Sequence, residues 1–194
     1  MILKTFITKE EVQQLDIIRF EGDIRIIDST DDLEDALQEL DQEDVIGFDT
    51  ETKPSFKKGE YHDPAIIQLS SLETAYLLRI QKTGFTNELK SFLENKRTKK
   101  IGISIRDDLK DMRKVREFEP GGFVDLNTVA DRLSIQQIGV KSLTGIFLNK
   151  RVSKGQQTSN WENEELTPNQ QTYAATDAWI CLKIYRSLQM RGYL

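Results

Sequence analysis

Apolar positions recur along this chain with two periods, every second residue in short runs and every third or fourth in longer ones. The first helical signal covers residues 8–18, where Thr8 stands as cap and Glu11 follows at the capping-box spacing. Residues 24–27 (Ile-Arg-Ile-Ile) read as a strand. Ser29 or Thr30 then caps a helix whose stripe is Leu33, Ala36, Leu37 and Leu40. A strand over 45–51 comes next, followed by a Lys-, Gly- and Pro-containing loop from Thr52 to Pro64. Runs at 65–70 and 74–80 lie close enough to pair as a hairpin. Leu89, Phe92 and Leu93 mark a helix, residues 100–105 a further strand, and a helix of alternating charge starts near Arg106. Pro120-Gly121-Gly122 turns the chain into Phe123-Val124, before helical patterns at 126–133 and 141–148. A polar loop over 152–160 leads into a long helix over 167–190. Strands with interleaved helices predict an α/β fold with a central mixed sheet. No internal repeat or linker divides the chain. It is read as one domain over 1–194, with the residues before 24 a short helical extension.

Composition narrows the picture. The 194 residues are 38% hydrophobic and 30% charged, the profile of a soluble globular domain able to bury a core. No apolar run is long enough to span a bilayer, and the N-terminus lacks the apolar stretch of a signal peptide. The single cysteine, Cys181, has no intramolecular partner and fits a reducing compartment, so a cytoplasmic location is expected. The net charge of −5 argues against indiscriminate binding to nucleic acid. Basic residues nevertheless cluster: Lys57-Lys58, Lys96-Arg97 with Lys99-Lys100, Arg113-Lys114 with Arg116, and Lys150-Arg151 with Lys154. Such runs are ordinarily solvated surface.

Three acidic segments carry the candidate chemistry. Asp49 and Glu51 are two apart on the 45–51 strand, so they point to one face with Cα atoms about 6.5 Å apart. Carboxylates so placed repel unless a cation lies between them, although Asp-x-Glu also occurs at plain strand ends. Asp108 shares a helical face with Ile105, Met112 and Val115, whereas Asp107 and Asp111 fall on the wetter side. A carboxylate on an apolar face needs a partner; near a helix start the dipole favours it too. Tyr173 and Asp177 stack one turn apart on the long helix, where Ala174, Ala175 and Ala178 permit close packing. A structural hydrogen bond is the simpler account of that pair alone. Together, four carboxylates without a nearby His or Cys form an oxygen-rich set suited to two Mg2+ or Mn2+ ions rather than zinc. Tyr173 then becomes a candidate for orienting a water, since a phenol titrating near 10 is a poor base at neutral pH.

The segments Phe48-Asp49-Thr50-Glu51-Thr52, Gly102…Asp108-Leu109-Lys110 and Tyr173-Ala174-Ala175-Thr176-Asp177-Ala178 resemble the three motifs of DnaQ-like 3′–5′ exonucleases. Tyr-x-x-x-Asp is similar to the DEDDy branch, which includes ribonuclease D and the Werner syndrome exonuclease. Ile66-Ile67-Gln68-Leu69, Ser159-Asn160-Trp161 and Leu166-Thr167…Gln170 extend the resemblance over nearly all of the chain after residue 24. It implies a ribonuclease H-like fold and metal-dependent release of nucleoside 5′-monophosphates from a 3′ end. By position it makes Asp49, Glu51, Asp108 and Asp177 metal ligands, with Tyr173 placing the nucleophilic water. Thr172 stands where the sister branch has histidine, and His62 receives no catalytic role. Thr50, Thr52, Lys154 and Asn160 are candidate substrate contacts. Trp161 and Cys181 are expected in the core. The expected partner is single-stranded or 3′-recessed DNA, with no membrane. A ribonuclease D-like RNA-trimming activity and a catalytically silent nucleic-acid-binding module are the alternatives.

Overall fold

The computed structural model describes residues 3–57, 59–153 and 155–194. Among the described residues six strands form one sheet in the order β1-β4-β3-β2-β5-β6. The strands are β1 (Asp23–Ile27), β2 (Val45–Thr52), β3 (Pro64–Ser70), β4 (Thr74–Arg79), β5 (Lys99–Gly102) and β6 (Phe123–Asp125). Strand β3 runs antiparallel to both β2 and β4, while β1, β5 and β6 join parallel to their neighbours, which makes the sheet mixed as expected. Among the described residues no helix is long and apolar enough to cross a membrane.

Strand alternation divides the interior in two. Ile46 and Phe48 of β2 face helices α2 (Thr30–Leu40), α4 (Asn87–Glu94) and α5 (Ile105–Val115), burying Leu33, Leu37, Leu89, Phe92 and Met112 with them. Val45 points the other way, toward α7 (Val140–Leu148) and α8 (Pro168–Met190), where Ile146, Phe147, Ile180 and Ile184 lie. The stripe read for α2 is buried throughout, and Ser29 is its cap. α8 starts with a reciprocal capping box between Thr167 and Gln170, with Pro168 in its first turn.

Some boundaries differ from the pattern reading. The N-terminal helix α1 (Lys9–Gln13) has the expected Thr8–Glu11 box but stops after one turn, and Ile17 instead bridges to Arg151 as extended chain. β5 ends at Gly102, since Ser104 adopts φ 63° and turns the chain so that Ile105 is helical. A four-residue helix, α3 (Ile80–Thr83), follows β4 directly, too short to show a period. The last helix before α7, α6 (Leu126–Arg132), is one residue shorter than its pattern. Val115, expected on the apolar face of α5, is 38% exposed at the helix end.

One basic residue is not surface at all. Lys100 is fully buried, donating to the carbonyls of Asn95 and Gly121 and lying over the Phe92 and Phe123 rings at 5.0 and 5.7 Å. Burial lowers its ammonium to about 8.

Candidate active site

The backbone brings the acidic segments together through one close approach. Gly47 of β2 has no side chain, and a Cβ there would lie 1.9 Å from the carbonyl oxygen of Ala178. With Ala174, Ala175 and Ala178 also small and buried, α8 lies directly on β2. Asp49 and Glu51 project from the Gly47 face of β2, the face that α8 covers. Asp177 meets them there: ligand atoms of Asp49, Glu51 and Asp177 lie within 4.8 Å of one another.

Asp108 arrives from the other layer. Thr50 points to the opposite face of β2, and its hydroxyl donates to the Asp108 carboxylate on α5. Thr50 thus ties α5 to the strand that carries the acidic pair, and its donor is engaged within the protein.

The electrostatics match a cation site. Burial, then the charges of Asp177, Asp108 and Glu51, push the Asp49 carboxyl well above the usual range. Burial, then Asp177 and Asp108, raise Glu51 to about 9. Burial brings Asp177 to about 7 against the opposing pull of the Tyr173 hydroxyl. Asp108 is raised by burial and moderated by Thr50. A protein that gathers carboxyls where each disfavours ionisation of the next presents a donor set that a divalent cation neutralises. Oxygen donors alone fit a hard cation.

Tyr173 lies half-buried one turn before Asp177, its ring tilted 36° to Trp161 at 6.0 Å between centroids. Burial, followed by the charges of Asp177 and Glu51, raises the phenol further above its ordinary value. Trp161 is completely buried, as is Cys181 but for 3% of its surface, so both are core. The loop carrying Trp161 is fixed by Arg79, only 5% exposed, whose guanidinium donates to the carbonyls of Asn163 and Glu164. Lys53, just after β2, pairs with Glu162 of the same loop at 3.0 Å. His62 is less solvated than its loop position suggests, with 17% of its side chain exposed between Glu60 and Glu162.

Of the other candidate contacts, Thr52 ends β2 at a register irregularity opposite Pro64. Asn160 is exposed and uses its side-chain oxygen to accept from the Glu162 amide, and its carbonyl to accept from Gln170. Lys154 lies outside the described residues, as does Lys58. Gln68 enters the sequence pattern only as part of Ile66-Ile67-Gln68-Leu69. It is fully buried directly across from Asp49 on β3, and neither amide atom meets a hydrogen-bond partner among the described residues. Cross-strand neighbours share a face, so Gln68 places an uncommitted amide beside the Asp49 carboxyl. A glutamine inside Ala65-Ile66-Ile67-Gln68-Leu69 was the available signal.

A mixed sheet with two carboxylates on β2, joined by one from α5 and one from α8, defines a metal-dependent nuclease scaffold of ribonuclease H-like fold. The family model for the 3′–5′ exonuclease domain matches residues 24–192, and the chain belongs to that family. Over 166 residues it is 37% identical to the mouse bifunctional 3′–5′ exonuclease/ATP-dependent helicase WRN, a match covering 82% of this chain and 12% of the mouse protein. In structure it is similar to the Nibbler EXO domain of Aedes aegypti, with TM-score 0.79, 21% identity and coverage of 90% and 92% of the two chains. Escherichia coli RNase D, an exoribonuclease involved in structured RNA processing, aligns with TM-score 0.76 and 22% identity, covering 89% of this chain and 47% of that one. The chain thus spans about an eighth of the mouse relative. The expected exonuclease family and fold are both found, and divalent-metal use comes with the family.

Proposed function

We propose that this chain is an active 3′–5′ exonuclease that uses two Mg2+ or Mn2+ ions to release nucleoside 5′-monophosphates from single-stranded or 3′-recessed DNA. The observation that carries the reading is the convergence of Asp49, Glu51 and Asp177 within 4.8 Å, with Asp108 tied in through Thr50. Asp49, Glu51, Asp108 and Asp177 hold the ions in this reading, and the bound ions supply Lewis acidity for attack of water on the phosphodiester. Tyr173 keeps its proton at physiological pH because its phenol is raised. Its O–H therefore orients the attacking water rather than removing a proton from it. Trp161, fixed by the loop that Arg79 anchors, holds the Tyr173 ring in place. Thr52, Asn160 and Lys154 are proposed to contact the substrate, and Thr50 acts through Asp108.

DNA is favoured over RNA because the segment from Ser159 to Ala178 is of the Werner type and the 37% identity lies with that relative. RNA trimming is the second reading, favoured by likeness to E. coli RNase D. The test is digestion of end-labelled single-stranded DNA, 3′-recessed duplex and RNA with Mg2+ or Mn2+. Stepwise shortening from the 3′ end is expected, fastest on DNA, abolished by chelator and reduced at least about a thousandfold in Asp49→Ala. If folded, metal-binding protein shortens none of these, it is a silent binding module.

A further inference from the structure

The residues before 24 lie outside the family match, yet they form part of the cleft at the acidic centre. A cavity of about 380 Å³ runs between Ile17, Ile18 and Arg19 on one side and Thr172, Tyr173 and Asp177 on the other. Past Tyr173 and Asp177 the depression continues toward Ile138 and Lys141 at the start of α7. The N-terminal segment is thus one bank of an open channel that passes Tyr173 and the candidate metal ligand Asp177.

This bank is fixed on both sides of Arg19. The Ile18 amide donates to the Arg151 carbonyl at 2.9 Å, and the Arg151 amide returns a bond to Asp16 at 3.0 Å. The Arg151 side chain donates to the Leu15 carbonyl at 2.7 Å, and Lys150 pairs with Asp16 at 2.9 Å. On the far side the Phe20 amide donates to the Thr176 hydroxyl at 2.9 Å, next to Asp177 on α8. The Phe20 ring is 3% exposed and meets Trp179 edge-on at 5.7 Å between centroids.

Between these anchors two side chains are left facing solvent. Arg19 is paired, among the described residues, only with Glu21 at 3.5 Å, and both are mostly exposed (69% and 78%). Such a loose surface pair holds little, while a guanidinium is well matched to a phosphodiester. Ile17 beside it is 52% exposed. An acidic centre repels a polyanion, so a channel that admits one needs fixed positive charge on its banks.

We propose that residues 15–20 are a strand-binding wall, in which Arg19 takes a backbone phosphate of single-stranded nucleic acid entering the acidic centre and Ile17 covers the adjoining sugar or base. This rests on the nucleic-acid reading of the site above. The test is fluorescence anisotropy in Mg2+ with a short single-stranded oligonucleotide whose 3′-terminal linkages are phosphorothioates that resist hydrolysis. Arg19→Glu should weaken binding about tenfold and Arg19→Ala about threefold, with the salt dependence (log K against log salt) shallower by about 0.7, one phosphate contact. Lys96→Glu makes the same charge change on an exposed residue at the opposite end of the sheet, and should leave both unaltered. Equal affinity and salt slope in wild type and Arg19→Glu overturn the proposal, as does an equal loss in Lys96→Glu. Wild type that fails to bind the oligonucleotide overturns it too. If Arg19-dependent binding is found but no substrate is shortened, the wall stands and the exonuclease reading falls.

Discussion

Tyr173 separates two duties that one aromatic residue often combines. Its ring belongs to a stack with Trp161, while its hydroxyl sits beside Asp177 among the carboxyls. Tyr173→Phe keeps the first and removes the second. Steady-state kinetics should show kcat falling by about ten- to a hundredfold, with KM, metal affinity and melting temperature nearly unchanged. A large change in metal affinity would instead make the hydroxyl part of the ligand set. At this scale the sequence was legible where spacing fixes direction. Asp49 and Glu51 two apart, and Tyr173 and Asp177 four apart, name their common faces without coordinates. It was not legible where a polar letter is buried. Lys100 sits in a run of basic residues and Arg79 at the end of a strand, and neither neighbourhood tells that carbonyls receive them in the interior. Thr50 is a candidate substrate contact by its place between two acids, and nothing in that place names Asp108 as the acceptor of its hydroxyl.

Among the elements, β2 and α8 determine the geometry of the centre. They touch at Gly47, where the helix backbone occupies the space of a side chain. Gly47→Ala forces the two apart or distorts both. Overpacking of this kind costs about 1–3 kcal/mol, which for a domain of this size lowers the melting temperature by roughly 3–10 °C. Activity should fall further than stability explains, since Asp49 and Asp177 ride on the separated elements; melting curves and the digestion assay on the same preparation check this. Cap and stripe made α2 readable, and the long pattern over 167–190 placed α8 almost to the residue. Where an element ends through backbone conformation, as β5 does ahead of Ser104 at φ 63°, hydrophobic pattern carries no warning. The N-terminal helix misled in a similar way, because Leu15 and Ile18 continue a helical period while the chain leaves it to bond with Arg151.

For the molecule as a whole, the clustered carboxyls link stability to pH and metal. In the metal-free fold Glu51 holds its proton to about 9 and Asp177 to about 7, against ordinary values of 4.5 and 3.8. With pKa values raised on folding, the native state binds more protons at these groups than the unfolded chain between these limits, so their contribution to stability is fully present below their ordinary values and is lost as pH rises. The chelated protein should therefore melt at progressively lower temperature from about pH 5 to about pH 9. Saturating Mg2+ or Mn2+ should reverse the trend, with the largest gain at alkaline pH, about 2.7 kcal/mol at a hundredfold excess over Kd. A metal-induced gain that shrinks with rising pH would contradict this ordering of the charges.

The two-sided use of β2 sets which lengths of the chain are free to drift. Asp49 and Glu51 serve the α8 layer while Phe48 and Thr50 serve the α2 and α5 layer, in strict alternation. Inserting or deleting one residue within the strand would exchange the two sets, turning phenylalanine toward the metal ligands and carboxylates into an apolar core. The loop at 53–63 carries no such parity. Related chains are therefore expected to place their insertions there and to hold the count between Gly47 and Glu51 invariant, so that an alignment gap inside that strand marks a misalignment or a dead enzyme.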